Sequence, residues 1–149
     1  MGNVKRWIVI AFATVSFIGF LDATYLTALR YLNVIPPCIV TSGCETVLTS
    51  EYSTLFGVPN ALLGALYYLT LFVLAVLSLE LGRQRILALA ALITPVGLLM
   101  SAYFVYLQLF VLKAICFYCM VSAAASMILF ALGVSVMLAL KKEMPTPSV

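Results

Sequence analysis

The chain has 149 residues, of which 65% are hydrophobic and 9% are charged, and its mean hydropathy is +1.21. Soluble domains contain roughly 45–50% apolar and about 25% charged residues, so this composition indicates an integral membrane protein. The net charge is +3, but the sequence has no basic patch with interleaved aromatic residues. A nucleic-acid partner is therefore not expected. Histidine is absent and acidic residues do not cluster, so a metal site is not expected either.

Four apolar runs are long enough to cross a membrane, since a spanning helix needs on the order of 20 apolar residues. They cover residues 7–32, 61–81, 86–112 and 115–140. The sequence therefore predicts an all-α fold, a single membrane domain over 1–149 built as a four-transmembrane-helix bundle with an outer loop over 33–60. The first run follows Lys5 and Arg6, as a signal peptide would, but it continues to residue 32 and we expect it to be retained.

The basic residues are distributed unequally between the two ends of the predicted bundle. One end would carry six of them and the other only Arg30 and Lys113. The six are Lys5, Arg6, Arg83, Arg85, Lys141 and Lys142. Because positive residues mark cytoplasmic loops, we expect a multi-pass protein of the cell membrane with both termini in the cytoplasm and all four cysteines near the outer face.

The first predicted helix contains an acidic residue, Asp22, about ten residues before its end. An ionisable group inside a span is costly, so it suggests a functional role. The alternative is that Asp22 pairs with Arg30 or with a tyrosine at the outer end and only positions the helix.

The outer loop begins with Pro36 and Pro37, which end the first helix ahead of Cys38. Thr41, Ser42 and Gly43 are typical of a turn before Cys44. From Cys44 onward apolar and polar residues alternate, which predicts a short amphipathic lid helix on the outer face of the bundle. An unstructured loop is the weaker alternative.

Two residues at the start of the second predicted helix share one helical face. Asn60 is a candidate N-cap, and Gly64 follows four positions later. The Asn60 amide could project over the gap left by Gly64, or the two residues could serve only capping and close helix packing.

The third predicted helix contains Pro95 and Gly97, so we expect a kink near its cytoplasmic half. Tyr103, Tyr106 and Phe110 form an aromatic stripe along its outer half. Such a stripe serves either helix packing or the binding of a ring-shaped ligand.

The four cysteines form two pairs, Cys38 with Cys44 and Cys116 with Cys119. Cys116 and Cys119 face the same way in the first turn of the fourth predicted helix, where the helix dipole stabilises a thiolate. Disulfides persist outside the cytosol, so both pairs can cycle there. Two inert disulfides that brace loops, or a zinc site of four thiolates, are the alternatives, and an oxidising compartment argues against the zinc site.

Three segments carry a family resemblance: GFLDATYLT in the first helix, CETVLTSEYSTLFGVPNALLGALYY after Cys44, and CFYCMVSAAAS. Together they resemble the prokaryotic members of the vitamin K epoxide reductase family of membrane thiol oxidoreductases. The resemblance implies a bundle around a quinone of the menaquinone or ubiquinone type. It also implies that Cys116 and Cys119 are the quinone-adjacent pair and that Cys38 and Cys44 are the shuttle pair.

The resemblance also extends to individual residues of the outer loop. Ser50 is similar to the family's loop serine near the active pair, and Asn60 to the asparagine that hydrogen-bonds a quinone oxygen. Phe56, Tyr103 and Gly64 are further candidates for the ring pocket. Animal members have a tyrosine where this chain has Ala123, so the second hydrogen bond to a quinone is unassigned.

These observations lead to a predicted function, the quinone-coupled oxidation of thiols. Electrons would pass from a separate extracytoplasmic thioredoxin-like partner to Cys38 and Cys44, then to Cys116 and Cys119, and finally to a membrane quinone. The separate partner is expected because the chain ends in the tail KKEMPTPSV without a thioredoxin-like domain. An unrelated four-helix disulfide oxidase, which carries its C-x-x-C pair in the first outer loop, and a structural membrane protein with two inert disulfides are the rival interpretations.

Overall fold

The computed structural model describes residues 4–38 and 43–143 and shows a bundle of long helices. In this described part, four helices have the length and hydropathy of membrane spans, which confirms the predicted fold class. The helices are α1 (Arg6–Tyr31), α2 (Cys44–Thr49), α3 (Asn60–Leu81), α4 (Gln84–Tyr106) and α5 (Phe117–Glu143). The short helix α2 lies in the outer loop.

Helix α1 packs mainly against α3, and α4 packs mainly against α5. Phe12, Leu71 and Leu129 are fully buried between them, whereas apolar residues on the opposite faces, such as Leu99, remain exposed. Lipid contributes no hydrophobic force between helices, so close approach at small residues becomes important. A Cβ atom on Gly97 would collide with the Tyr67 ring, so this glycine makes room for its neighbour on α3.

The third span ends in an irregular turn that the sequence did not reveal. Helix α4 passes through Pro95 and continues to Tyr106, after which residues Leu107–Val111 form a π-helical turn. The Leu112 N–H donates to the Leu107 carbonyl at 2.8 Å, as the wider turn requires. π-Turns often lie at functional sites, and this one leads directly to Cys116.

The outer segment contains more structure than the predicted amphipathic helix. Only its first six residues are helical, as α2, and Glu51–Ser53 then forms a 3₁₀ turn. An antiparallel hairpin follows, with β1 (Thr54–Leu55) paired to β2 (Val58–Pro59). Phe56 and Gly57 both have positive φ, which is the geometry of a tight two-residue hairpin turn. Of the predicted turn, Thr41 and Ser42 lie outside the described residues.

Candidate active site

The two cysteine pairs are found in different states. Cys38 and Cys44 form a disulfide whose Cα atoms are 6.2 Å apart. Cys116 and Cys119 are free thiols. The structure therefore contains one pair that can accept two electrons and one pair that can donate them.

The fold brings the two pairs into one cluster at the end of the bundle that carries α2. Cys44, Val47 and Cys116 are buried against one another, and Cys38 and Cys119 pack against them. Residues 44 and 116 are separated by more than seventy positions in sequence, so only the tertiary fold places them together. The Tyr118 hydroxyl adds a link, since it donates to the Pro37 carbonyl at 3.5 Å.

The closest contact between the two cysteine segments involves Gly43, immediately before Cys44. A Cβ atom at this position would lie 2.6 Å from both the backbone nitrogen and the carbonyl oxygen of Ile115, immediately before Cys116. Real Cβ atoms do not approach backbone this closely, so only glycine allows the contact. Gly43 thus permits the loop that carries Cys44 to lie directly on the segment that carries Cys116.

We predict that Gly43→Ala slows thiol–disulfide exchange between the two pairs by at least tenfold, because the added methyl group forces the loop away from Ile115. Quenched-flow alkylation with mass mapping would follow the exchange. Glu51→Ala, an exposed position in the same outer segment, is the matched control and should exchange normally. Normal exchange in Gly43→Ala would show that the contact with Ile115 is dispensable.

Cys116 lies just before α5 and is anchored by two backbone hydrogen bonds. Its carbonyl accepts from the Met120 N–H at 3.1 Å, and its N–H donates to Oε1 of Gln108 at 3.0 Å. Gln108 belongs to the π-helical turn and is only 2% exposed. Gln108 was not among the residues predicted from the sequence, although a lone amide in an apolar run just before a C-x-x-C pair is a usable signal.

The environment of Cys116 favours its thiolate. The hydrogen bond from the Cys119 side chain is the largest effect and lowers the pKa of Cys116 to about 7, although burial and the charge of Asp22 act in the opposite direction. The Cys119 thiol donates to the Cys116 sulfur, so negative charge in the reduced pair is favoured on Cys116. A thiolate is the form that attacks a disulfide, so Cys116 is ready for exchange with its neighbour Cys44.

A cavity of about 780 Å³ lies among the long helices and reaches the outer segment. Cys119 lines this cavity, whereas Cys116 does not. Most of the wall is apolar. The polar side chains that line it include Asp22, Ser50, Asn60, Tyr68, Gln108 and Ser122.

Asn60 is the first residue of α3, but its side chain does not cap the helix as the simpler prediction required. Its Nδ2 donates to the Tyr52 carbonyl at 2.5 Å. Its Oδ1 is buried at the cavity and has no hydrogen-bond partner among the described residues. A buried oxygen without a partner is costly, so this atom is suited to accept a hydrogen bond from a ligand.

Ser50 and Gly64 also line the cavity. The Ser50 hydroxyl donates to the Val47 carbonyl at 2.8 Å and so helps to end α2. A Cβ atom on Gly64 would meet only the Ala23 side chain at 3.7 Å, an ordinary contact. The predicted gap beside Gly64 is therefore part of the cavity.

Phe56 and Tyr103 are not brought to the cavity. Phe56 occupies the hairpin turn, where its φ is positive, and is 98% exposed. Tyr103 is exposed on the side of α4 that points away from the bundle, as are Tyr106 and, in the π-helical turn, Phe110. The residue after Tyr103, Phe104, lines the cavity. The aromatic stripe thus lies one helical position away from the cavity-lining face.

The chain is similar in sequence to known proteins. The model of the vitamin K epoxide reductase family matches residues 10–134. The chain is also similar to the thiol-disulfide oxidoreductase LTO1 of Arabidopsis thaliana, with 36% identity over 126 residues. This alignment covers 76% of the chain but 32% of the relative, so the chain spans about a third of that protein's length.

Proposed function

Because the chain belongs to the vitamin K epoxide reductase family of thiol oxidoreductases, we propose that it oxidises the thiols of a partner protein and passes their electrons to a membrane quinone. The observation that carries this proposal is the position of the two reduced cysteines. Cys116 packs against Cys44 of the outer disulfide, whereas Cys119 faces the cavity within the bundle. One pair thus connects the exchange site with a ligand site.

The residues of the cavity fit a quinone. Its volume of about 780 Å³ lies within the roughly 300–1,000 Å³ of small-molecule sites, and its wall is mainly apolar. Asn60 and Gly64 would lie against the ring; the second Nδ2 hydrogen of Asn60 would donate to a quinone oxygen, and Oδ1 would accept from a hydroxyl of the reduced quinol. A quinone of the menaquinone or ubiquinone type supplies a two-electron acceptor that diffuses in the membrane.

The thiol steps follow from the positions of the cysteines. A thiolate of the partner attacks Cys38, and Cys44 leaves as a thiolate; the partner's second thiolate then displaces Cys38 and completes the partner's disulfide. The Cys44 thiolate attacks Cys116 of an oxidised inner pair, and Cys119 leaves as a thiolate. Cys38 then attacks Cys44, which restores the outer disulfide and releases Cys116. Two electrons have moved from the partner to the inner pair.

We propose that the partner is a separate thioredoxin-like protein on the outer side of the membrane. Its two vicinal thiols would suit the exchange with Cys38, which is only partly buried, whereas Cys44 is 1% exposed. This difference in access supports Cys38 as the cysteine that first meets the partner.

The asymmetric distribution of basic residues leads to a prediction about orientation. A maleimide that cannot cross membranes should label Cys38 of the reduced protein in intact cells or right-side-out vesicles, while tags at both termini should be accessible only after permeabilisation. Labelling of Cys38 only after permeabilisation would reverse the proposed topology.

We predict that Asn60→Ala slows quinone reduction several-fold, because the loss of one neutral hydrogen bond costs about 0.5–1.5 kcal/mol. Reduction of the outer disulfide by a dithiol should be unchanged, which provides the internal control for folding. The measurement is stopped-flow quinone reduction beside dithiol exchange. Equal quinone kinetics in the variant and the wild type would remove Asn60 from the proposed site.

The function itself is tested with purified protein in lipid. It should carry an extractable quinone, detectable by mass spectrometry, and should oxidise a dithiol while quinone is consumed. A protein that does neither would match the rival interpretation, a structural membrane protein with two inert disulfides.

A further inference from the structure

The proposed site assigns a hydrogen-bond donor to only one of the two quinone oxygens. Both oxygens of a quinone accept hydrogen bonds, and Asn60 has one Nδ2 hydrogen beyond the one given to the Tyr52 carbonyl. The Tyr68 hydroxyl is already engaged, since it donates to the Ser122 carbonyl at 2.7 Å. The second oxygen of the ring therefore still requires a donor.

The charged residues of the cavity wall are poorly suited to this role. Oδ2 of Asp22 is buried without a hydrogen-bond partner among the described residues, but a carboxylate oxygen accepts and does not donate. The expected pairing of Asp22 with Arg30 is not formed, because the Arg30 guanidinium donates to the Leu48 carbonyl at 2.6 Å. Arg30 is also exposed, so water competes for its remaining hydrogens.

Gln108 lines the same cavity and is held in place at both its backbone and its side chain. Its backbone carbonyl accepts from the Ala114 N–H at 3.0 Å. In an α-helix the Leu112 N–H would occupy that carbonyl, but in the π-helical turn it donates to Leu107 instead. The side-chain Oε1 accepts from the Cys116 N–H at 3.0 Å. This bond fixes the orientation of the amide and leaves both Nε2 hydrogens for other acceptors.

The bond to Cys116 places the Gln108 amide beside the inner cysteine pair. Cys116 and Cys119 lie within one helical turn, and the Cys119 thiol donates to the Cys116 sulfur. Cys119 also lines the cavity. Gln108 is therefore a polar side chain of the cavity wall that is bonded directly to the segment from which electrons leave the protein.

We infer that Nε2 of Gln108 donates a hydrogen bond to one carbonyl oxygen of the quinone, while Nδ2 of Asn60 donates to the other. The inference rests on the proposed function and names a second residue of its acceptor site. Oxidation of the inner dithiol to a disulfide gives the quinone two electrons and two protons. A fixed donor stabilises the negative charge that develops on the oxygen as the electrons arrive. Because Gln108 is only 2% exposed, water does not compete for this bond.

The test is infrared spectroscopy of the oxidised protein in lipid, loaded with a short-chain naphthoquinone that is isotopically labelled at one or the other carbonyl carbon. The oxidised protein has no thiols, so the quinone is not reduced. In the wild type, both carbonyl bands should lie below their frequency in plain lipid, because each oxygen accepts a hydrogen bond. Gln108→Met should return one band to its frequency in lipid and raise the Kd about two- to tenfold. Asn60→Ala should return the other band.

Ser53→Ala is the matched control and should leave both bands shifted. The Ser53 hydroxyl also belongs to a cavity-lining residue and has no partner among the described residues, but it lies in the 3₁₀ turn of the outer segment. Two shifted bands in Gln108→Met would overturn the inference, and so would the loss of a shifted band in Ser53→Ala.

Gln108→Glu covers the case in which Gln108→Met does not fold and takes up no quinone. Its ionised carboxylate keeps an acceptor for the Cys116 N–H but has no hydrogen to donate, so it must then show the single returned band. Two shifted bands in Gln108→Glu would overturn the inference. A wild type that binds no quinone would contradict the proposed function itself, and the inference with it.

Discussion

A chain in which Cys44 and Cys116 are the only cysteines, made by Cys38→Ser with Cys119→Ser, should form an intramolecular disulfide in air-equilibrated membranes, where dioxygen takes up the two electrons and two protons. A disulfide requires Cα atoms about 4.4–6.8 Å apart, so the bond reports directly on proximity. Both side chains are buried in the same cluster. The residues that precede them, Gly43 and Ile115, are in contact with each other. Non-reducing peptide mapping should find nearly all of the chain cross-linked.

The matched control combines Cys44→Ser with Cys119→Ser and leaves Cys38 and Cys116. It should cross-link less, because Cys38 lies at the edge of the cluster, whereas Cys44 is buried beside Cys116. A preference for Cys38–Cys116 would reverse the roles assigned to the outer cysteines. The absence of a cross-link in both variants would contradict the relay, since inert disulfides have no reason to exchange.

Cys119→Ser should have the second large effect, because it removes the only cysteine that lines the cavity in the described part of the chain. Quinone reduction should fall to the level of protein-free lipid. The Cys116 thiolate should attack Cys44 of the outer disulfide and release Cys38 as a thiolate, so a Cys44–Cys116 link should accumulate without electrons reaching the cavity. Substantial quinone reduction by this variant would show that Cys116 reaches the ligand without Cys119.

Ser126→Ala is a suitable control for Cys119→Ser, since it also alters a small polar side chain on the cavity face of α5. Tyr68 keeps its hydrogen bonds to Ser122 in this variant. It should therefore retain most of the quinone reduction that Cys119→Ser loses.

The sequence predicted the four long helices well because each span must bury a continuous apolar run in lipid. The helix bounds differ from the prediction by only a few residues, as at α5, which begins at Phe117 instead of residue 115. The structure of the outer segment was less predictable. Its hairpin turn uses Phe56 and Gly57, a pair without the usual asparagine–glycine signal, so the periodicity of the segment gave no indication of strands.

The candidate site shows the same division between local and tertiary information. The C-x-x-C spacing predicted Cys116 and Cys119 as a redox pair, and the structure adds that, of the cysteines in the described part of the chain, Cys119 alone lines the cavity. Residues such as Gly43 and Gln108 act through contacts with distant backbone. Such contacts leave no local pattern in a single sequence. Tyr103 was predicted for the ring pocket, but its neighbour Phe104 lines the cavity, because adjacent residues of a helix point in different directions.

The most direct test of the relay is the number of quinone molecules that a fully reduced chain reduces, without added thiol, before its own thiols are all oxidised. Four thiols hold four electrons, so the fully reduced wild type should reduce two quinones per chain. Removal of the outer pair by Cys38→Ser and Cys44→Ser should lower this to one. Removal of the inner pair by Cys116→Ser and Cys119→Ser should lower it to none, although the outer thiols remain. One quinone reduced by the last variant would contradict the order in which the two pairs carry electrons.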